Sequence, residues 1–95
     1  DKKLPKVSGS KNFNNIFKVT NMLKLSKLDY DTISEIIFFK SGRFDVNLND
    51  EILIKFPIKY TEDIINYSGS LLKNKKFINS KVIDLRIKNK IIKYE

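Results

Sequence analysis

The chain has 95 residues, 41% of them hydrophobic, and a formal net charge of +8. A chain of this length forms one small domain around a single core, and it contains no apolar run of about 18 residues that would span a membrane. It has no cysteine and no histidine, which excludes thiol nucleophiles, imidazole bases and the common zinc ligand sets.

The first 25 residues predict an extended segment followed by a helix. Residues 1–9 are expected to be extended or loop, because Pro5 keeps the residue before it out of the helical region. Ser10 is a candidate N-cap for a helix over residues 12–25. Five side chains recur there at helical spacing: Phe13, Ile16, Phe17, Thr20 and Leu23. We expect this helix to lie against a sheet.

Residues 33–56 predict three strands joined by two tight turns. The first strand covers residues 33–40, and Ser41-Gly42 supplies a turn signal. Residues 43–48 alternate between the two faces of a strand, with Phe44, Val46 and Leu48 inward and Arg43, Asp45 and Asn47 outward. Asn49-Asp50 accepts positive φ at the second turn, and Pro57 ends the third strand. The pattern is that of a three-stranded antiparallel meander.

Residues 60–72 return to helical spacing, and residues 83–94 predict a closing hairpin. Residues 83–88 alternate apolar and charged side chains, so that Asp84 and Arg86 project from the same face. Lys88 to Lys90 is a plausible turn into a last strand. The predicted fold is therefore α+β, an antiparallel sheet of a three-strand meander and a C-terminal hairpin, with two helices packed on one face.

Catalytic chemistry has little support in this sequence. Its carboxylates are not placed to face each other across a cleft, and no histidine base is available for a serine nucleophile. We predict no catalytic residue, no metal site and no cofactor. Six aromatic residues fall on predicted core stripes, which argues against the stacking surfaces of a nucleic-acid binder. They are Phe13, Phe17, Phe44, Phe56, Tyr60 and Tyr67.

The basic charge and the last strand each leave an alternative open. No block of five or more basic residues occurs, so the charge is typical of solvated lysine-rich faces, with binding to nucleic acid or an anionic surface as the alternative. The strand over residues 91–94 has no later segment to pair with. It either completes the core, capped by lysines, or presents an open edge to which a partner segment adds a strand.

Four segments, in order, resemble one protein family. Residues 81–87 resemble the closing "v-IDLR" signature of the bacterial cell division family FtsQ, called DivIB in Gram-positive bacteria. Residues 4–9 are similar to its "LP-x-v-x-G" segment, and residues 42–48 to its "gRWdl-x-L" strand with Phe44 in place of Trp. Residues 49–57 resemble its "nG-i-x-v-x-LP" segment with Asp50 in place of Gly. The forms look most like alphaproteobacterial members.

The resemblance implies that residues 1–95 are a single FtsQ-type β domain from a longer protein. That protein would also have a cytoplasmic tail, one membrane helix and a POTRA domain, none of which is in this chain. The family is non-enzymatic. Membership implies the inner membrane of a Gram-negative bacterium, with this domain in the periplasm at the division septum. It also implies a complex with FtsB and FtsL that helps control septal cell-wall synthesis, with other divisome components as further partners and no nucleic acid.

The resemblance also implies a partner site at the end of the chain. In the family, a segment of FtsB adds a strand to the last β-strand, and acidic FtsB residues meet basic ones. The residues carried over are Arg86, Ile87, Lys88, Asn89, Lys90, Ile91, Ile92, Lys93 and Tyr94. Arg86 is the candidate for the ion pair, and residues 88–94 provide the strand edge. The turn at residues 88–90 departs from the small pair of better-known members.

Overall fold

The computed structural model describes residues 4–10, 12–59, 62–72, 81–86 and 92–94. It contains six strands and two α-helices, with a short 3₁₀ helix, Tyr30–Thr32, before the second strand. In chain order they are β1 (Lys6–Gly9), α1 (Phe13–Leu25), β2 (Ile33–Phe38), β3 (Phe44–Leu48), β4 (Ile52–Lys55), α2 (Glu62–Leu72), β5 (Val82–Asp84) and β6 (Ile92–Tyr94). Within these ranges, no helix is long and apolar enough to cross a bilayer.

The six strands form one sheet in the order in which they occur along the chain. The α+β class is confirmed, as are the antiparallel meander of β2, β3 and β4 and the antiparallel pairing of β5 with β6. The sheet is nevertheless mixed, because β1 pairs parallel with β2 and β4 pairs parallel with β5. Each parallel pair is connected through a helix, which brings the chain back to the end of the sheet from which it left.

Both helices lie on the same face of the sheet, as predicted. The strands β1, β2, β4 and β5 all point the same way, and both crossovers step in the same direction along the sheet. Crossovers of this kind are right-handed, which places α1 and α2 on one side. A contact between the helices agrees, since the Lys27 N–H, just beyond α1, donates to Asn66 Oδ1 of α2 at 2.8 Å.

The core lies between the helices and one face of the sheet. Phe44 of β3 stacks on Phe56 with ring centroids 4.7 Å apart, and Phe38 lies 6.2 Å from Phe44. Aliphatic side chains from all the central strands surround these rings. They include Ile36, Val46, Ile54 and Ile83 from the sheet and Val19, Leu23 and Ile65 from the helices, all fully buried.

The structure corrects two expectations about α1. Its N-cap is Asn12 rather than Ser10, and the Asn12 side chain accepts from the Asn15 N–H at 3.2 Å. Phe13 and Phe17 were expected in the core, yet both are mostly exposed. The buried stripe is centred instead on Val19 and Leu23, which lie on the side of the helix away from these two rings. Tyr67 on α2 is likewise exposed, and Tyr60 is outside the described residues.

The last residue of β1, Gly9, lies against the backbone of β2. Gly9 has a φ of 91°, and a Cβ at this position would collide with the Phe38 carbonyl group on β2. The next residue continues the pairing, since the Ser10 N–H donates to the Phe38 oxygen at 2.9 Å. Because the backbone of Gly9 lies so close to that of Phe38, only glycine fits at position 9, the last residue of β1.

The turn between β3 and β4 has the predicted geometry. Asn49 and Asp50 have φ values of 53° and 59°, and the Glu51 N–H donates to the Leu48 carbonyl at 2.9 Å. Two successive positive φ values closed by this hydrogen bond define a type I′ turn, whose twist matches that of the flanking strands. Asn and Asp are among the residues that accept this conformation best after glycine.

Candidate functional site

A row of charged side chains crosses the sheet on the face opposite the helices. Asp45 of β3 is paired with Lys55 of β4, which is paired in turn with Asp84 of β5. Residues directly opposite each other on neighbouring strands project to the same face. The next row along these strands, Val46, Ile54 and Ile83, belongs to the core. The charged row therefore faces away from α1 and α2.

Arg86 is bound to Asp84 by three hydrogen bonds. Its Nε donates to Asp84 Oδ1 at 2.9 Å and its Nη2 donates to Oδ2 at 2.6 Å, so the guanidinium group holds the carboxylate in a two-pronged pair. Its backbone N–H donates to Oδ1 at 3.0 Å. The Asp84 side chain is 3% exposed, whereas that of Arg86 remains 44% exposed. The carboxylate thus fixes an arginine that still faces solvent.

Arg43 repeats this arrangement two strands away. Its Nη1 donates to Asp45 Oδ1, and its guanidinium carbon lies 4.2 Å from the centre of the Phe39 ring. The Arg43 side chain is 16% exposed, less than half the value for Arg86. The ring and the carboxylate together limit its freedom. Arg43 is the more enclosed of the two arginines.

The two carboxylates differ in their titration. The hydrogen bonds from Arg86 lower the pKa of Asp84 below its usual 3.8, against the opposing effect of burial. Burial raises the pKa of Asp45 above 3.8, and the charges of Arg43, Lys55 and Arg86 offset it only in part. Asp45 lies on a central strand with more protein around it, so desolvation of its charged form weighs more heavily.

The charges of this cluster favour recognition of a carboxylate. It holds three cations, Arg43, Lys55 and Arg86, against two aspartates, so it carries a net positive charge. Among the described residues, every buried polar side-chain atom has a hydrogen-bond partner, and no group of three acidic residues has the spacing of a metal site. The arginines are held in place by their own aspartates. Such pre-ordered guanidinium groups suit a partner's carboxylate.

The direction of the peptide groups on β5 follows from its pairing with β4. The Leu85 N–H donates to the Lys55 carbonyl at 2.9 Å, and the Lys81 carbonyl accepts from the Leu53 N–H at 2.8 Å. Along a strand, successive peptide groups point to opposite sides. The odd-numbered residues of β5 therefore bond to β4, and its even-numbered residues bond to β6.

This alternation identifies the outward-facing residue of β6. Val82 is paired with Tyr94 and Asp84 with Ile92, so Ile92 and Tyr94 direct their N–H and C=O groups inward to β5. Lys93, between them, directs its N–H and C=O away from the sheet. No strand lies beyond β6 within the described ranges. The backbone of Lys93 thus presents one donor and one acceptor at the edge of the sheet.

The structure places some of the predicted partner-site residues and not others. Arg86 follows β5 and lies on the predicted face with Asp84. Ile92, Lys93 and Tyr94 form β6, as expected for a last strand. Ile87, Lys88, Asn89, Lys90 and Ile91 lie outside the described residues, so the turn over 88–90 stays a prediction.

Three residues of this cluster were not predicted as site residues from the sequence: Arg43, Asp45 and Lys55. Asp45 was expected to face outward from β3, which is correct, but it is almost fully buried there by its neighbours. The sequence does contain a pattern that indicates two of these residues. Arg43 and Asp45 have the same two-residue spacing as Asp84 and Arg86, and in strands this spacing places opposite charges on one face.

Comparison with known proteins gives one similarity that covers most of the chain. The chain is similar to the cell division protein FtsQ of Rickettsia conorii, with 38% identity over 80 residues. The aligned region covers 80% of this chain and 30% of the relative, so the chain spans about 30% of the length of the curated protein it matches. No family model matches the chain. The similarity agrees with the four ordered segments described above.

Proposed function

This chain is an FtsQ/DivIB-like domain, and we propose that it is a non-enzymatic scaffold domain of bacterial cell division that binds an extended segment of an FtsB-like partner along β6. The partner segment would continue the sheet as a seventh strand. Backbone hydrogen bonds would supply affinity, and side chains beside the edge would supply specificity.

The observation that carries this proposal is the position of β6. Within the described ranges it is the outermost strand on its side of the sheet, and Lys93 directs its backbone N–H and C=O outward. Residues 92–94 contain no proline, so each of them keeps a backbone N–H for pairing. A lysine on an edge strand discourages pairing with an arbitrary segment, and an acidic partner would instead be attracted to it.

Arg86 supplies the specificity in this proposal. It follows β5, the strand that pairs with β6, and Asp84 holds its guanidinium group while 44% of the side chain stays exposed. An acidic side chain of the partner segment would bind there. Arg43 and Lys55 add positive charge along the same face and favour an acidic partner over a basic one.

The cellular setting is part of the proposal. The domain would lie in the periplasm at the division septum, attached to the inner membrane through a helix outside this chain. A complex with FtsB-like and FtsL-like proteins would help control septal cell-wall synthesis, and other divisome components would be further partners. The matched relative supports the role in cell division, since it is a cell division protein.

Calorimetric titration of the chain with the FtsB-like segment from the same bacterium tests the ion pair. Arg86→Glu should weaken binding by about tenfold or more, because it replaces attraction by repulsion at a partly exposed pair. Lys81→Glu is the matched control, since it makes the same charge change just before β5 and away from Arg86. Equal affinities for Arg86→Glu and the unchanged chain would contradict the role of Arg86.

Proline substitutions on β6 test the backbone pairing. Lys93→Pro removes the outward N–H and should abolish strand addition, while the ladder to β5 keeps its hydrogen bonds. Ile92→Pro removes an inward N–H and should instead lower the stability of the domain. Circular dichroism separates the two effects. Unchanged partner affinity for a folded Lys93→Pro variant would exclude β6 as the docking edge.

A further inference from the structure

The solvent-facing side of α1 carries large apolar residues along its length. Phe13 is 68% exposed, Phe17 is 66% exposed and Leu25 is 90% exposed. Phe13 and Phe17 lie one helical turn apart at the start of α1, and Leu25 is its last residue. The opposite side of the helix already packs into the core through Val19 and Leu23. The helix thus has a second, uncovered set of apolar side chains.

The positive charge of the sequence is concentrated in the segment that contains this helix. Residues 2–28 contain seven lysines and no acidic residue, whereas residues 29–95 contain twelve basic and ten acidic residues. Lys18, Lys24 and Lys27 are exposed on α1 or directly after it. Residues 2–28 are therefore strongly cationic, and the rest of the sequence is almost balanced.

We propose that the exposed side of α1 binds the surface of a bilayer with anionic headgroups. Phe13, Phe17 and Leu25 would enter the boundary between headgroups and acyl chains, and the lysines would bind the headgroup charges. Phenylalanine or leucine on one side, with lysine around it, is the composition of helices that lie in a membrane interface. Each lysine near an anionic surface adds to the attraction.

The shape of the surface favours a bilayer over an acidic protein segment. Helix and peptide partners dock in grooves, where anchors are enclosed on several sides. Phe13, Phe17 and Leu25 instead stand on the convex side of α1, spread over about 18 Å of helix. A cleft at the start of α1 is lined mainly by polar residues such as Ser10, Asn12 and Lys40. The surface of a bilayer is flat and deformable, so it can contact the apolar side chains at both ends of α1 at the same time.

This surface is separate from the proposed partner edge. The helix α1 covers one face of the sheet, and the charged row of Asp45, Lys55 and Asp84 lies on the other. The strand β6 is at the far end of the strand order from β1, to which α1 is joined. Binding of a bilayer at α1 therefore leaves β6 accessible. The inference does not depend on the proposed function.

Vesicle sedimentation tests the proposal with the 95-residue chain. Phosphatidylcholine vesicles that contain phosphatidylglycerol should bind the chain, and pure phosphatidylcholine vesicles should bind it at least tenfold more weakly. Phe13→Gln/Phe17→Gln should reduce binding to the anionic vesicles at least tenfold. Its matched control, Ile58→Gln/Tyr67→Gln, removes two exposed apolar side chains elsewhere and should bind as the unchanged chain does.

A second pair of variants tests the charge. Lys24→Gln/Lys27→Gln should weaken binding about tenfold, whereas Lys59→Gln/Lys81→Gln makes the same change in net charge at exposed lysines away from α1 and should have little effect. Equal losses in both pairs would overturn the proposal, because net charge alone would then explain binding. So would equal binding to neutral and anionic vesicles. Poly-glutamate binding with the same dependence on Phe13 and Phe17 would show that the surface accepts an acidic polypeptide instead.

Discussion

Two buried aspartates on one face of the sheet are stabilised to different extents. Asp84 receives three hydrogen bonds from a single arginine, and these lower its pKa. Asp45 also has an arginine partner, but burial on the central strand raises its pKa. The same pair of residue types therefore gives opposite contributions to stability as the pH changes. For Asp84 the hydrogen bonds from Arg86 outweigh burial, whereas for Asp45 burial outweighs the pairing with Arg43.

Asp84→Asn should destabilise the domain at neutral pH by about 1–2 kcal/mol, between the values for exposed and buried ion pairs. The pKa of Asp84 is lower in the folded chain than in the unfolded chain, so the charged carboxylate stabilises the fold at pH values above 3.8. This contribution is lost as the pH falls below 3.8. The difference in unfolding free energy between the unchanged chain and Asp84→Asn should therefore shrink on acidification. Urea unfolding at a series of pH values measures it.

Asp45→Asn provides the control with the opposite sign. Because burial raises the folded-state pKa of Asp45, the unchanged chain should lose stability relative to this variant as the pH rises from 3.8. Parallel pH profiles for the two variants would contradict the assignment of a lowered pKa to Asp84 and a raised one to Asp45.

A glycine of α2, Gly69, lies against the segment that follows α1. A Cβ on Gly69 would lie 2.9 Å from the backbone nitrogen of Leu28 and 2.9 Å from the backbone carbonyl carbon of Lys27, closer than real contacts allow. The same segment after α1 donates to Asn66, one turn earlier on α2. Glycine is unfavourable inside a helix, so its presence here follows from the close approach of backbone to backbone.

Gly69→Ala should destabilise the domain by about 1–3 kcal/mol, because overpacking at the helix contact outweighs the gain of up to about 1 kcal/mol in helix propensity. Ser70→Ala is the matched control on the exposed side of α2 and should change stability little. Thermal unfolding of both variants measures the effect. An increase in stability for Gly69→Ala would show that the helices do not approach each other this closely in solution.

The strands of the meander could be predicted because their signals are local. Alternation at residues 44–48, positive-φ residues at Asn49-Asp50 and Pro57 each act within a few residues. The parallel pairs could not be predicted in this way, since β1 and β5 are short and their partners are set by crossovers through α1 and α2. The exposure of Phe13 and Phe17 could not be predicted from the pattern either. Helical spacing alone did not decide which apolar stripe of α1 meets the sheet.

The candidate site was predicted only where the family resemblance reached. Arg86 and β6 came from the closing segment, and the structure places Arg86 beside Asp84 as expected from their spacing. Arg43, Asp45 and Lys55 join the same face only once the register of β3, β4 and β5 is known. Register between distant strands is a property of the folded sheet, and a local pattern does not contain it.

The two proposed contacts use separate surfaces of the molecule. Among the described residues β6 ends the sheet and directs the Lys93 backbone groups outward, and this is the proposed edge for an extended acidic segment. The exposed side of α1, with aromatic residues among lysines, is the proposed surface for an anionic bilayer. The sheet separates the charged face from the helices, so both contacts are compatible in one small domain.

Amide hydrogen exchange in the presence and absence of the FtsB-like segment tests strand addition at β6 most directly. In the free chain, the Ile92 and Tyr94 amides bond to β5 and should exchange slowly, whereas the outward Lys93 amide should exchange fast. Binding should slow exchange at Lys93 by at least tenfold. New protection confined to β1 or α1, with Lys93 still exchanging fast in the saturated complex, would contradict docking at this edge.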